Sequence, residues 1–391
     1  MENRKRNQQK KQSKNSIKKK LRKKIVSTLQ KALGWSPKIS QLAGSIIVGL
    51  LSITGVWHKK IAHTMNNENQ TESNIRSIQR FFCKTYINYH FFSRMIYDIL
   101  QIRGKVTIII DRTNWDFGKR HINILVAAVL CQAAQQSQSF AVPLVWEVFD
   151  KKGNSNTAER KKLMQELIAI VGVKNIEVLL ADREFIGQEW IQFLNEHHIP
   201  FVIRIRKDMY VEYNGKKVNA WTLFMGMKYK EERSYEVKLN GIPVALAGTC
   251  STEGELVVVV ASLDVSGKPL SEYRLRWLIE LFFKSIKTQG FNIEETHMAD
   301  PERIKLLFAL ISYATVLTVQ AGILYNHFKQ IPTKNHGRPS YSLFTYGLDL
   351  LRTLFRGVIP NRMKQVLELC AKSPFHRLPN ANIAISMLFD G

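Results

Sequence analysis

Cysteine is scarce in this chain, and acidic residues are heavily outnumbered. Its 391 residues include four cysteines, Cys83, Cys131, Cys250 and Cys370, and no two of them have C-x-x-C spacing. That pattern excludes a cysteine zinc motif and a disulfide framework, and it fits a reducing cytosol. There is no internal repeat. The basic N-terminus adjoins no apolar segment ending in a small-residue cleavage site, so no signal peptide is expected. One uncharged run, residues 306–324, approaches the length that spans a bilayer. It contains Ser312, Thr315, Thr318 and Gln320 and closely follows a charged stretch, so the expectation is a buried core helix and no membrane partner. The run "LAGSIIVGLLSITGVW" is too short to span comfortably. Acids number 32 against 57 Lys and Arg, for a formal net charge of +25. An excess of that size draws the chain to a polyanion before any sequence is read.

Hydrophobic residues make up 45% of the chain, enough for a large core, and the length suits two to three domains. Residues 1–24 carry twelve Lys or Arg and one acid, Glu2. They read as a disordered basic tail that can also serve as an electrostatic arm for phosphates. Residues 25–100 read as a helical domain suited to DNA binding. Ile75, Ile78, Phe81, Phe82, Ile87 and Phe91 fall near helical spacing, with Arg76, Arg80 and Lys84 on other faces. A pure packing role fits that spacing equally well.

The pattern changes at Gly104. "KVTIIID", "HINILVAAVL" and "AVPLVWEVF" are β-branched runs separated by turn residues, predicting three successive strands. A helix ending near Gly172, the strand "IEVLLAD", a helix over "GQEWIQFLNEHH" and the strand "PFVIRIR" follow. This order predicts an α/β fold: a mixed sheet flanked by helices, as in a ribonuclease-H-like core over residues 101–207. Residues 208–270 read as a β-rich insertion with hairpins at Asn214-Gly215 and Asn240-Gly241. The core then resumes over 271–326, and 327–391 reads as a basic helical C-terminal region. Its residues 329–391 hold nine Lys or Arg and three acids.

Three carboxylates stand out: Asp111, Asp182 and Glu280. Asp111 follows an apolar run and is expected at a strand end, where a catalytic group is rigidly held; a turn-forming Asp is the plainer reading. Asp182 ends "VLLA", and its plainer reading is a helix N-cap. Asp116, Glu147, Asp150 and Glu184 compete for the same role. Glu280 lies in a stretch read as one helix from Ser271 to Thr288, with Ser271 as N-cap and Gly290 as stop. At about 100° per residue, Tyr273, Arg276, Glu280 and Lys287 share a stripe about 60° wide. Leu275, Leu278, Ile279, Phe282 and Ile286 occupy the opposite side. A solvated face with an Arg276–Glu280 pair explains that stripe on its own. Tyr273 and Phe283 make the polar side unusually aromatic for such a face, and the helix follows a core whose two aspartates lack a third ligand. Three carboxylates from separate elements are what two Mg²⁺ ions need in phosphoryl transfer. Glu280 would complete the metal set. Arg276 and Lys287 would hold phosphates, one by a fork and one as a point charge. Tyr273 would hydrogen-bond a phosphate or stack on a base.

The spacing Tyr, two residues, Arg, three, Glu, six, Lys is met in full by Tyr273, Arg276, Glu280 and Lys287. "DRTNWDFG", "ADREF", "RSIQRFF" and "KNHGRPSYSLFTYGLDLLR" accompany it. With these blocks the chain, from about residue 40 to 355, resembles cut-and-paste DDE transposases of bacterial insertion sequences, in the insertion-sequence-four family. The resemblance implies a ribonuclease-H-like core and a metal triad of Asp111, Asp182 and Glu280 holding two Mg²⁺, with Mn²⁺ as a substitute. It implies cleavage at terminal inverted repeats and strand transfer into target DNA through hairpin ends. It further implies DNA contacts from Tyr273, Arg276, Lys287, Arg183 and Lys284, a homodimer on the DNA, and a bacterial cytoplasmic, nucleoid-associated setting. In similar enzymes a flipped base often stacks on an aromatic of the insertion; Trp221 is an obvious aromatic there, and the resemblance does not assign which aromatic stacks. The competing expectations are a non-catalytic DNA-binding relic and a nuclease of the same fold. The basic tail has no counterpart in the family pattern.

Overall fold

The computed structural model describes residues 19–356, apart from 66–69, 103, 133–137, 252–253, 266–267, 336 and 338. These described residues form two compact units. One gathers those up to Gln101, Gln132–Val142 and those from Phe282 onward; the other gathers Ile102–Cys131 and Pro143–Leu281.

The second unit is built on a mixed sheet. Its first strands are β1 (Val106–Phe117), β2 (Arg120–Gln132), β3 (Ser139–Asp150), β4 (Ile176–Ala181) and β5 (Phe201–Ile205). They lie side by side in the order β3-β2-β1-β4-β5. The β1–β2 hairpin is antiparallel, whereas β1, β4 and β5 run parallel. Parallel neighbours need a crossover, and α6 (Thr157–Val171) and α7 (Gln188–Glu196) occupy the connections. This is the ribonuclease-H-like order read from the pattern. Ile108, Ile109 and Ile110 are all fully buried, because a central strand covered on both faces needs a continuous apolar run rather than an alternating one.

Residues 208–270, read as a β-rich insertion, hold five strands that do not form a separate layer. β6 (Tyr210–Tyr213), β7 (Lys216–Asn219), β8 (Glu232–Leu239), β9 (Ile242–Cys250) and β10 (Leu256–Ala261) extend the same sheet to ten strands. β10 pairs antiparallel with β5. Both Asn-Gly hairpins form, with positive φ at Asn214 and Gly215 and at Asn240 and Gly241, as a tight hairpin turn requires.

Helix α6 opens with a capping box. The Asn156 side chain accepts from the Glu159 N–H at 2.9 Å, and Glu159 accepts from the Asn156 N–H at 2.9 Å. Asn156→Ala should lower stability by about 1 kcal/mol, measured as a shifted denaturant midpoint at unchanged slope. An unchanged midpoint would mean the cap contributes nothing.

The first unit is helical. A helix over residues 19–33 (α1) is followed by α2 (Pro37–Ser52), α3 (His58–His63), α4 (Thr71–Lys84) and α5 (Tyr89–Leu100). Residues 19–24 of helix α1 fall in the stretch expected to be a disordered tail. Leu21, Ile25 and Leu29 are buried, and their four-residue spacing supplies an apolar stripe that the surrounding lysines obscured. Residues 1–18 lie outside the described residues. Phe91, expected in the apolar set, is 54% exposed. The long apolar run forms α10 (Pro301–Phe328), which packs with α2, α4, α5 and α11 (Leu343–Arg356). It is long and apolar enough to cross a membrane, yet its most apolar 18-residue window is wholly buried, as a core helix requires. Cys83, Cys131 and Cys250 are free; Cys370 and the basic stretch beyond residue 356 lie outside the described residues.

Candidate functional site

β1 and β4 bring the two aspartates together. Their parallel register pairs Ile110 with Ala181, so the next residues, Asp111 and Asp182, leave the paired region side by side on one face of the sheet. Ligand sites of open α/β sheets lie at these carboxyl ends. Asp111 is not at a strand end as expected. It sits mid-strand, because the β1–β2 hairpin continues from Asp111↔Val126 to Phe117↔Arg120, beyond the reach of β4. The Asp111 backbone is therefore paired with β2 on one side and unpaired with β4 on the other.

Asp182 precedes a short 3-10 turn, Arg183–Phe185, without making a side-chain cap bond to it. Its Oδ1 instead accepts from the Tyr273 hydroxyl at 3.1 Å. Tyr273 lies on α8 (Pro269–Arg274), which packs on β4, β5, β9 and β10. The single helix expected from Ser271 to Thr288 is in fact two. It starts at Pro269, after Lys268, and breaks at Leu275–Arg276 before α9 (Trp277–Lys287). At the break the N–H groups of Leu275, Arg276, Leu278 and Ile279 all donate three residues back, at 3.0–3.1 Å. This is a tightened 3-10 segment, of the kind that marks hinges inside helices. Apolar spacing fits either winding, so sequence alone could not show it.

Arg276 occupies that break and is the hub of the site. Its Nη1 donates to Asp111 Oδ2 at 2.8 Å, and its Nη2 donates to Glu280 Oε1. The guanidinium carbon lies 5.7 Å from the Tyr273 ring centroid, within cation–π range. Asp111 Oδ1 accepts from the N–H of Arg112 at 2.7 Å. Thus Asp111 and Glu280 share one cation, and Asp182 is joined to it through Tyr273. The Arg276 and Asp111 side chains are 12% and 15% exposed and Glu280 is 34% exposed, so the network is largely screened from solvent and open at Glu280. Burial pushes the Asp111 carboxyl up to about 6, against the pull of Arg276 and with a further push from Asp182 and Glu184. Burial also carries the Tyr273 hydroxyl up to about 12. Burial disfavours the Arg276 cation, yet Tyr273, Asp111, Asp182 and Glu280 outweigh it and raise its pKa.

Sequence reading missed a supporting layer. Arg112 grips Glu184 with two bonds, Nε–Oε1 at 3.1 Å and Nη2–Oε2 at 2.9 Å, and reaches Asn154 Oδ1 at 3.0 Å. Arg160 of α6 donates to Ser155 Oγ at 2.9 Å and to the Glu184 carbonyl at 2.8 Å. Its guanidinium lies 5.1 Å from the Phe185 ring. Arg112, next to Asp111, and Glu184, two residues after Asp182, thus tie β1 to the turn after β4. The only signal in the sequence was the charge order Asp-Arg in one block and Asp-Arg-Glu in the other. Arg112→Ala leaves Glu184 partly buried without its fork, and should lower stability by about 2 kcal/mol. Arg112→Ala/Glu184→Gln should recover most of that loss in a double-mutant cycle; additive losses would show that the pair does not interact.

Three of the four competing acids are engaged elsewhere, whereas Glu184 belongs to the supporting layer. Asp116 pairs with His121 at 2.7 Å, Glu147 with Lys162 at 3.2 Å, and Asp150 with Arg120. Of the other residues singled out, Arg183 and Lys284 are exposed, and Lys287 pairs with Glu294 at 2.7 Å. The division between the two units falls within α9, and both lysines belong to the helical unit. Phe283 is buried, correcting the expectation that it faces outward with Tyr273. Trp221 is 40% exposed.

The donor set suits a hard divalent cation: three carboxylates, all oxygen donors, around a point where a single guanidinium already serves as a positive charge. Among the described residues, no three acidic, His or Cys side chains are close enough to hold a metal ion as they stand. Binding one would therefore require the carboxylates to turn from Arg276 towards each other.

A family model described as the transposase DDE domain matches residues 102–317. Among solved structures, a synaptic complex of piggyBac transposase with hairpin DNA is similar over 91% of this chain and 82% of its own, at 10% identity and a TM-score of 0.46. Endonuclease V of Bacillus subtilis is similar over 58% of this chain and 92% of its own, at 9% identity and a TM-score of 0.26. Neither structural likeness is close enough to carry an argument. The search of curated proteins gives no match.

Proposed function

Because the chain belongs to the transposase DDE-domain family, we propose that it excises an insertion sequence at its terminal inverted repeats and joins the freed ends to target DNA. The observation that carries this reading is the convergence of Asp111 and Asp182 from adjacent parallel strands with Glu280 beyond Arg276. The spacing of Tyr273, Arg276, Glu280 and Lys287 supports placement with the bacterial insertion-sequence-four type, acting in the cytoplasm as a homodimer on double-stranded DNA through hairpin ends.

Asp111, Asp182 and Glu280 would hold two Mg²⁺, or Mn²⁺. Bound there, the ions would polarise the scissile phosphate and activate the attacking oxygen. The rest of the chemistry belongs to the chain. The β1–β4 pairing and the Arg112–Glu184 fork hold the backbones of the two aspartates in register. Once released from Asp111 and Glu280, Arg276 would offer a forked donor to a phosphate beside the scissile bond. Tyr273, held neutral by burial, orients Asp182 and presents an aromatic face. Exposed Arg183 and Lys284 supply point charges along the backbone of the DNA, with Lys287 beside Glu294 as a further one. The net charge of +25 supplies sequence-independent affinity, which should fall steeply with salt.

The test uses a duplex bearing the terminal repeat from the DNA flanking the coding region, pre-cut to leave a 3′-hydroxyl, incubated with a plasmid target and Mg²⁺. Covalent joining of the labelled end to the plasmid is expected. Cleavage of an uncut end without joining would favour a nuclease of the same fold. Binding without either reaction would favour a DNA-binding relic.

A further inference from the structure

Every carboxylate of the site already has a partner within the chain. Arg276 spans Asp111 and Glu280 with separate nitrogens. Asp182 takes the Tyr273 hydroxyl, and the second oxygen of Asp111 takes the Arg112 N–H. Arg276 is thus a cation at the centre of the acidic set, and its side chain is only 12% exposed. The spacing of the carboxylates points the same way. Among the described residues, these three carboxylates are not grouped as a ready-made metal cage. A divalent ion drawing Asp111 and Glu280 together competes with the guanidinium for the same two carboxylates, and two cations between them repel strongly at close range.

We propose that Arg276 is the resident counter-cation of this carboxylate centre and that a divalent ion must displace it to bind. The proposal rests on the reading of Asp111, Asp182 and Glu280 as metal ligands. An arginine suits the role because its charge cannot be lost to deprotonation and its fork reaches two carboxylates at once. The backbone can accommodate the exchange. Arg276 sits in the 3-10 break between α8 and α9, and converting that segment between 3-10 and α winding turns each residue by about 20°. The arrangement keeps three carboxylates from repelling one another before metal arrives, and it lowers metal affinity by the free energy of the contacts that must be broken.

Binding of Mn²⁺ to the full chain without DNA tests this, read from the electron paramagnetic resonance of free Mn²⁺ for wild type, Arg276→Gln, Arg276→Lys and Asp111→Asn. Arg276→Gln should bind Mn²⁺ about tenfold more tightly than wild type. It should also melt lower in EDTA and gain more from added Mn²⁺. Arg276→Lys should fall between the two, since it keeps the charge and loses the fork. Arg276→Gln binding no tighter than wild type would overturn the proposal. If that variant does not fold, Arg276→Lys decides: tighter binding supports displacement, and equal or weaker binding overturns it. Asp111→Asn separates this proposal from its premise. If it binds Mn²⁺ as wild type does, the ions sit elsewhere and the metal-site reading itself fails. If it loses binding while Arg276→Gln stays unchanged, only the displacement fails.

Discussion

Asp111→Ala should lower Mg²⁺-dependent DNA cleavage at least about 10³-fold while leaving duplex affinity within about twofold. The size of the effect follows from position. Asp111 lies where β1 leaves its pairing with β4, beside Asp182, and it is the residue through which Arg276 is fixed to the sheet. Removing it takes away a proposed metal ligand and frees the guanidinium at the same time. Duplex affinity should survive, because it comes chiefly from phosphate contacts spread over a chain of net charge +25. The measurement is cleavage of a labelled duplex with Mg²⁺ and with EDTA, beside a binding titration at fixed salt. Cleavage within tenfold of wild type would remove Asp111 from the centre. An equal loss of binding would point to a folding defect.

Gly347→Ala should cost about 3 kcal/mol, a drop in melting temperature of roughly 5–10 °C. A Cβ at Gly347 would lie 1.9 Å from the Thr318 carbonyl oxygen, and one at Gly322 would lie 2.0 Å from the Leu343 carbonyl oxygen. These two glycines let α10 and α11 meet backbone to backbone. No rotamer relieves a clash with a carbonyl, so the helices must move apart. Leu348, Leu351 and Leu354 of α11, all buried, would then lose packing. A thermal melt reads the effect, and a variant melting within 2 °C of wild type would contradict the close crossing.

Much of this was legible in the chain because local rules sufficed. β-branched runs gave the strands, Asn-Gly pairs gave both hairpins, and Gly172 ended α6. The stripe of Tyr273, Arg276 and Glu280 was readable because a helix wheel is a local object, and the three side chains do meet. Lys287 did not follow them as a free cation, since the wheel cannot know that Glu294 lies seven residues on and folds back to pair with it. The break at Arg276 was hidden because apolar spacing is the same for either winding over so few residues. The grip of Arg112 on Glu184 spans 72 positions, and the pairing of β10 with β5 spans a whole insertion; neither leaves a local trace. Phe283 misled because an aromatic on the polar side of a wheel still buries itself when another element covers that side.

The most direct measurement maps the metal itself. Fe²⁺ replaces Mg²⁺ in the wild-type full chain, ascorbate and peroxide generate hydroxyl radicals at the bound ion, and the sites of backbone scission are identified. The account predicts cuts near residues 111, 182 and 280, suppressed by excess Mg²⁺. Scission confined to other segments, with none at these three, would contradict it.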